Sequence, residues 1–180
     1  TFRQAFVQPL HRYEGGRTTG IRAAGLSLFT ERRGQGRLGR VLIIAGSDSG
    51  GGAGLQADIK SVTVMGGYAA TAVTAITVQN TQGVHGVHPL PLDLIAAQAR
   101  AVLEDIGTDA VKTGMLGSVE VVETVAALLD EADAPAVVDP VMVATSGARL
   151  IAEDAAEALT RRLFPLATVI TPNIPEAMAL

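Results

Sequence analysis

Short aliphatic runs alternate with amphipathic stretches along the chain from Arg40 onward, and this alternation constrains the fold more than any other feature. The first run, Val41–Ala45, is followed by a glycine, which is typical of a buried parallel strand. Five runs of this kind are predicted to be strands: 41–45, 72–78, 110–111, 136–138 and 168–170. Since helical crossovers between such strands are right-handed and build parallel sheets, we expect an α/β fold with an open parallel sheet and helices on both faces.

The amphipathic stretches carry apolar residues at helical spacing. The clearest one repeats them at positions 92, 95, 99, 102 and 106. Ser118 can cap the next helix, and Pro175 opens the last one. The helices between the predicted strands are expected around 55–62, 92–106, 121–129 and 152–163. The glycine- and proline-containing segment 83–91 is predicted to be a polar loop.

Polar or glycine residues follow every predicted strand. They are Gly46-Ser47-Asp48, Gln79-Asn80, Lys112-Thr113-Gly114, Asp139 and Thr171-Pro172-Asn173. In an open parallel sheet, ligands bind at the carboxyl ends of the strands. Because all the strand ends share this composition, the sequence favours a small-molecule cleft at that edge over ordinary turns. Within this set, Lys112 either neutralises a phosphate or pairs with an acidic neighbour.

The glycine-rich stretch Gly46–Gly54 has two open interpretations. Residues 52–57 match the G-x-G-x-x-A dinucleotide pattern, but Gln79 and Asn80 follow the second strand, where that pattern requires an acidic residue. A phosphate-binding P-loop needs Gly-Lys-Ser or Gly-Lys-Thr, and the sequence contains neither. The stretch is therefore either a flexible turn before a helix or a loop whose small residues let a planar ligand approach the backbone.

Asn173 and Glu176 stand three positions apart at the start of the last predicted helix. One interpretation is structural, because Asn173 can cap the helix and Glu176 can complete a capping box. The other is that the amide and the carboxylate hold a hydrated magnesium ion through oxygen ligands. Because Asp139 follows the neighbouring predicted strand, the magnesium interpretation is favoured.

Composition and charge exclude several classes of function. The chain has no cysteine, so disulfides, thiolate metal sites and cysteine nucleophiles are excluded within it, and the cytoplasm is the expected compartment. A net charge of −4 gives no general attraction to nucleic acid. The longest aliphatic run, Val41–Ala45, is too short to span a bilayer. We therefore expect no nucleic-acid partner and no membrane partner.

The first 40 residues differ in charge from the rest of the chain. They hold eight of the fourteen basic residues and two of the eighteen acidic ones, a net charge of +6, whereas the remainder carries −10. The segment is rich in Arg and Gly, and its apolar residues show no sustained period. Residues 1–39 are therefore predicted to be a disordered or non-native extension, with a transit peptide as the alternative, and residues 40–180 a folded domain.

Five segments carry motifs that occur together in one family. They are Ala45–Lys60, Thr74–Thr81, Lys112–Leu116, Val138–Met142 and Thr171–Glu176. In content, order and spacing they resemble the hydroxymethylpyrimidine and phosphomethylpyrimidine kinases of thiamine synthesis, which are ribokinase-like. The resemblance implies that residues 40–180 are the N-terminal part of such a kinase domain. It also implies phosphorylation of 4-amino-5-hydroxymethyl-2-methylpyrimidine and then of its monophosphate, with ATP and Mg²⁺.

The resemblance also implies roles for single residues. Gln79 is similar to the side chain that hydrogen-bonds the aminopyrimidine edge, where a neutral amide offers both a donor and an acceptor. The residues that resemble the pocket walls and the hydroxymethyl-side contacts are Gly46, Asp48, Ala53, Met115 and Val141. Those that resemble the ATP and phosphate side are Asp139, Asn173 and Glu176. Of these, Asp139 and Glu176 would hold Mg²⁺ through water.

Members of this family continue well past the Asn-x-x-Glu motif. The continuation supplies a Gly-Thr-Gly-Cys type loop whose N–H groups bind the transferred phosphate and whose last residue is the family's catalytic position. The resemblance therefore places the catalytic residue beyond Leu180. We expect a C-terminally truncated domain that is inactive by itself, although the intact protein, expected as a homodimer, is the kinase. The alternatives are a pyridoxal-type vitamin kinase and a non-catalytic fragment.

Overall fold

Six strands form one sheet in the computed structural model, which describes residues 38–142, 151 and 153–180. The strands are β1 (Arg40–Ser47), β2 (Tyr68–Asn80), β3 (Gly83–Pro89), β4 (Ala110–Thr113), β5 (Ala136–Val138) and β6 (Val169–Ile170). Their order is β3-β2-β1-β4-β5-β6, and every neighbouring pair except β2–β3 is parallel. The five strands predicted from aliphatic runs are confirmed. The extension predicted over residues 1–39 lies outside the described residues, apart from Leu38 and Gly39.

Helices cover both faces of the sheet, as the sequence predicts. They are α1 (Gly54–Val64), α2 (Leu92–Asp105), α3 (Val119–Ala132), α4 (Glu153–Ala158) and α5 (Ile174–Ala179). A π-helical turn, Leu159–Leu163, continues α4. The helix α1 packs on one face through a small core of Ile43, Ala45 and Leu55. A larger core on the other face joins α2, α3 and α4 to the central strands. None of the helices in the described part of the chain is long and apolar enough to cross a membrane.

Strand β3 takes the place of the polar loop predicted over residues 83–91, so that part of the prediction is wrong. It pairs antiparallel with the end of β2, with Ile76 opposite His88 and Val78 opposite Gly86. Its two valines are interrupted by glycine and histidine, so no aliphatic run marks it as a strand. The sheet is therefore mixed, and the turn between β2 and β3 lies at the carboxyl edge of the parallel strands.

The central strands β1 and β4 are tied together at their amino-terminal ends. The guanidinium of Arg40 donates to Asp109 through Nε at 3.0 Å and through Nη2 at 2.8 Å. This pair joins the start of β1 to the turn before β4, and the register that follows sets Ile43 beside Lys112. Since paired residues of parallel strands share a face, Lys112 points to the side covered by α1.

Candidate functional site

The carboxyl ends of the parallel strands border a cleft of about 510 Å³. It lies where the sequence predicts a ligand site, and the glycine stretch, the β2–β3 turn and the first residues after β5 complete its walls. The six residues that resemble the substrate-binding set all line it: Gly46, Asp48, Ala53, Gln79, Met115 and Val141. Asp139 lines it as well, whereas Asn173 and Glu176 are not among the lining residues.

The carboxylate of Asp48 organises the glycine loop. Oδ1 accepts a hydrogen bond from the N–H of Gly50 at 2.7 Å, and Oδ2 accepts from those of Gly52 and Ala53 at 2.9 and 2.8 Å. Charge-assisted bonds of this kind are among the stronger ones in proteins, and Asp48 is only 4% exposed. The loop is therefore wrapped around one carboxylate instead of being a flexible turn. Lys60 holds it from outside, because Nζ donates to the carbonyl oxygen of Gly51 at 2.7 Å.

Two glycines make the floor of the cleft possible. A Cβ atom added to Gly46 would lie 2.5 Å from Cε of Met115, so the methionine methyl occupies the space that a side chain would need. Gly54 has φ +54°, and a Cβ there would lie 2.4 Å from the carbonyl oxygen of Gly46. The start of α1 thus approaches the end of β1 more closely than any residue with a side chain allows.

Gln79 is anchored to the glycine loop through its backbone. Its N–H donates to Oγ of Ser49 at 2.8 Å, and the same hydroxyl donates to the carbonyl oxygen of Gln79 at 2.6 Å. The neighbouring Thr77 hydroxyl donates to the carbonyl oxygen of Ser47 at 2.8 Å. These contacts hold the end of β2 against the loop, so the half-buried Gln79 lines the cleft from a fixed backbone. Its amide can offer a donor and an acceptor, and its Oε1 also accepts from the Thr77 hydroxyl at 3.3 Å.

Lys112 lies between two carboxylates at the cleft. Its Nζ is 2.7 Å from Oδ2 of Asp58 and 3.4 Å from Oδ2 of Asp139. Of the two interpretations of Lys112, pairing with acidic neighbours is confirmed, and a phosphate contact stays a prediction. Sequence reasoning did not single out Asp58 as a site residue. The available signal is that Asp58 follows the glycine loop by one helical turn, which keeps it at the cleft edge.

Burial raises the pKa of the Asp139 carboxyl above its ordinary value, and Lys112 opposes this rise. The negative charges of Glu176 and Asp58 raise the pKa further. This part of the cleft therefore concentrates negative charge around a single ammonium group. A carboxylate in such surroundings binds a cation more readily than an isolated one, because a bound cation relieves the repulsion.

Asn173 and Glu176 form the capping box of α5. The Asn173 Oδ1 accepts from the N–H of Glu176 at 2.9 Å, and Oε2 of Glu176 accepts from the N–H of Asn173 at 2.9 Å. The carboxylate is 6% exposed and its Oε1 also accepts from the N–H of Met142 at 3.4 Å. The structural interpretation of this motif is thus confirmed, and the magnesium interpretation stays a prediction.

The donors near Asp139 fit a magnesium ion only in part. Carboxylate and amide oxygens are the ligands that Mg²⁺ prefers, and Mg²⁺ usually keeps several waters. However, the described residues include no group of three or more acidic, His or Cys side chains placed to hold a metal ion directly. The residues present therefore suit an ion held through water and a bound phosphate, not a closed protein cage.

The fold and this cleft together define a ribokinase-like small-molecule kinase domain. A mostly parallel sheet with helices on both faces is shared with solved kinases of that class. The chain belongs to the phosphomethylpyrimidine kinase family, whose model matches residues 48–180.

The curated relatives agree with this family. The chain is 54% identical over 140 residues to the hydroxymethylpyrimidine/phosphomethylpyrimidine kinase of Streptomyces coelicolor, covering 78% of the chain and 52% of that protein. It is 52% identical over 161 residues to the thiamine biosynthesis bifunctional protein ThiED of Geobacter sulfurreducens, covering 89% of the chain and 33% of that protein. The chain thus spans about half the length of the single kinases it matches, or less in fused proteins.

Solved structures give the same fold. The phosphomethylpyrimidine kinase of Clostridium difficile 630 superposes with a TM-score of 0.73 at 48% identity, covering 77% of this chain and 61% of that one. The pyridoxal kinase of Staphylococcus aureus in complex with pyridoxal has a TM-score of 0.73 at 41% identity, covering 81% and 54%. Both kinds of kinase therefore share this architecture, so only the residues of the cleft can distinguish a pyrimidine substrate from pyridoxal.

Proposed function

We propose that the protein containing this chain phosphorylates the hydroxymethyl group of 4-amino-5-hydroxymethyl-2-methylpyrimidine, and then the monophosphate, in thiamine biosynthesis. The observation that carries the proposal is that the six residues resembling the family's substrate contacts line one cleft. The relatives named hydroxymethylpyrimidine/phosphomethylpyrimidine kinase support the same reaction. In this proposal the Gln79 amide pairs with the aminopyrimidine edge, and Gly46 and Met115 form the floor beneath the ring.

ATP is the phosphate donor in the proposal. Neighbouring pyridoxal kinase structures contain AMP-PCP or ADP, which supports nucleotide use by this fold. We propose that Asp139 and Glu176 hold Mg²⁺ through water, with Asn173 keeping Glu176 in place at the start of α5. A bound magnesium ion would neutralise phosphate charge, which is the main requirement of phosphoryl transfer. Oxygen ligands, and the closeness of Asp139 to the negative charge of Glu176, support this assignment.

The chain's own residues would bind and orient the acceptor alcohol. Asp48 holds the glycine loop closed and lines the cleft on the hydroxymethyl side, where Ala53 and Val141 complete the wall. We propose that the catalytic residue and the phosphate-binding loop belong to the part of the family domain beyond Leu180. The same proposal includes a cytoplasmic location and a homodimer for the intact protein.

The alternative substrate is pyridoxal, because the pyridoxal kinase of Staphylococcus aureus shares the fold at 41% identity. Gln79, followed by Asn80 and Thr81, favours the aminopyrimidine, whose ring edge offers both a donor and an acceptor. Titration calorimetry of the 180-residue chain with each ligand decides between them. Tighter binding of pyridoxal than of the hydroxymethylpyrimidine would replace the proposed substrate.

A non-catalytic fragment is the third possibility. We propose a chimera in which this chain is joined to the remaining part of the Streptomyces coelicolor relative, and a coupled ADP-release assay on the chimera and on the chain alone. The proposal expects turnover of the pyrimidine in the chimera and background activity in the chain. Comparable turnover in both would show that catalysis lies within residues 1–180, with Asp48 and Asp139 the first candidates for the base.

A further inference from the structure

The charges that line the cleft pose a problem for a kinase with two successive acceptors. Among the described lining residues, Lys112 has the only positively charged side chain, and three carboxylates also line the cleft, those of Asp48, Asp58 and Asp139. The relatives are named for two ligands, a hydroxymethylpyrimidine and its phosphate ester. The hydroxymethyl group is neutral, whereas the phosphate ester is an anion. A cleft with an excess of negative charge repels the ester unless a cation faces it.

Lys112 is placed so that it can supply this cation. An ammonium group has three N–H donors, and the two neighbouring carboxylates, at 2.7 and 3.4 Å, account for two of them. Gly114 places no side chain against the group, since a Cβ at that position would be in van der Waals contact with Nζ at 3.5 Å. The Lys112 side chain is 22% exposed and borders the cleft, so an anionic oxygen can reach the third donor.

We propose that Lys112 determines whether the cleft accepts the phosphorylated ligand, by donating its third N–H to a phosphate oxygen. Asp58 is the positioning residue, because its contact at 2.7 Å holds the ammonium group from α1. This inference rests on the proposed function and adds to it the residue pair that separates the first acceptor from the second.

The two ligands respond differently to this pair. A neutral hydroxymethyl group gains little from an ammonium group that is already paired, whereas a phosphate gains a charge-assisted hydrogen bond. Asp58 has a second effect, because its own negative charge opposes a nearby phosphate. Removing the charge of Lys112 therefore weakens binding of the ester selectively, and removing the charge of Asp58 strengthens it selectively.

The test is titration calorimetry of the 180-residue chain with the hydroxymethylpyrimidine and with its monophosphate, in EDTA so that no divalent cation replaces the ammonium group. Lys112→Met is expected to weaken monophosphate binding by about tenfold or more and to change pyrimidine binding by less than about threefold. Lys112→Arg keeps the charge and is expected to keep most of the preference. Arg100→Gln is the matched control, because Arg100 pairs with Glu131 between α2 and α3, away from the cleft.

Each result decides the inference. Selective loss in Lys112→Met, with gain in Asp58→Asn, supports it, and circular dichroism verifies that the variants are folded. Equal loss of both ligands in folded Lys112→Met, or no loss, overturns it. If the unaltered chain binds the pyrimidine but not the monophosphate, this inference alone is wrong. If the chain binds neither ligand, the proposed function fails together with it.

Discussion

The carboxylate of Asp48 accepts a hydrogen bond from the backbone N–H of Ala53 at 2.8 Å, across a loop of four residues. Two further loop N–H groups, those of Gly50 and Gly52, bind the same carboxylate. One buried side chain thus gives a glycine-rich stretch a single conformation. This explains how a loop with almost no side chains of its own can form a defined wall of the cleft.

Asp48→Ala is therefore expected to lower the free energy of unfolding by about 1–3 kcal/mol, because three loop N–H groups lose a charged acceptor. Binding of the pyrimidine should weaken as well. Urea unfolding and calorimetry measure the two effects. Asp93→Ala is the matched control, since Asp93 also accepts a backbone N–H, that of Leu94, but at an exposed position on α2. A loss of stability in Asp48→Ala no larger than in the control would contradict the role assigned to the loop.

Gln79→Leu is expected to weaken pyrimidine binding by about 1–3 kcal/mol, because the leucine leaves polar ligand groups without partners. Its stability should change little, since the shorter contacts that anchor Gln79 use its backbone and its side chain adds a longer one, from the Thr77 hydroxyl to Oε1 at 3.3 Å. Gln82→Leu makes the same change at the exposed turn between β2 and β3 and serves as the control. Unchanged affinity of Gln79→Leu in calorimetry would reject the assignment of Gln79 to the aminopyrimidine edge.

Gly54→Ala is expected to be strongly destabilising. The new Cβ would lie 2.4 Å from the carbonyl oxygen of Gly46, a backbone atom that cannot move aside, and φ is +54°. Gly66→Ala separates the two causes, because Gly66 has φ +82° but no atom within 4 Å of the added Cβ. Strain from φ alone costs about 1–2 kcal/mol. Thermal unfolding should show a clearly larger loss for Gly54→Ala, and equal losses would mean that the close approach is unimportant.

Thr113→Val is expected to stabilise the chain by about 1 kcal/mol or more. Thr113 is fully buried, and no described group satisfies its hydroxyl, so valine removes the cost of burying an unpaired polar group. Thr74→Val is the matched control and is expected to destabilise the chain, because the Thr74 hydroxyl donates to the carbonyl oxygen of Met115 at 2.8 Å. Urea unfolding of both variants measures the difference. Destabilisation by Thr113→Val would point to a partner for that hydroxyl.

The raised pKa of Asp139 predicts how its contribution to stability depends on pH. The folded chain holds this proton more tightly than the unfolded chain, where the pKa is near 3.8. The contribution is therefore fully present below that value and is lost as the pH rises through the raised folded pKa. The amide introduced by Asp139→Asn does not titrate, so the variant should gain stability relative to the wild type as the pH rises above about 3.8. If the stability of Asp139→Asn relative to the wild type decreases as the pH rises, this prediction is wrong.

Much of the fold could be predicted because its signals are local. An aliphatic run such as Val41–Ala45 becomes a buried strand wherever it lies, and Ser118 caps α3 through the N–H of Val121 as its position indicates. The carboxyl-end rule then placed the residues of five separate segments at one edge, and the substrate set from Gly46 to Val141 lines one cleft there. Local pattern and this rule of topology were sufficient to locate the cleft, whereas Ala53, Met115 and Val141 were assigned to it from the family resemblance.

The tertiary structure alone decided the rest. Strand β3 exists because β2 offers it an edge, and its own residues carry no strand pattern. Lys112 and Asp58 are 54 positions apart, and their contact depends on the register of β1 with β4 and on how α1 lies on the sheet. The Glu176 carboxylate accepts from the N–H of Asn173 at the cap of α5 and from that of Met142 after β5, and the second contact depends on the packing of two remote segments. Sequence determines which groups are available, but distances between remote segments are set only when the chain packs, and electrostatic pairing follows those distances.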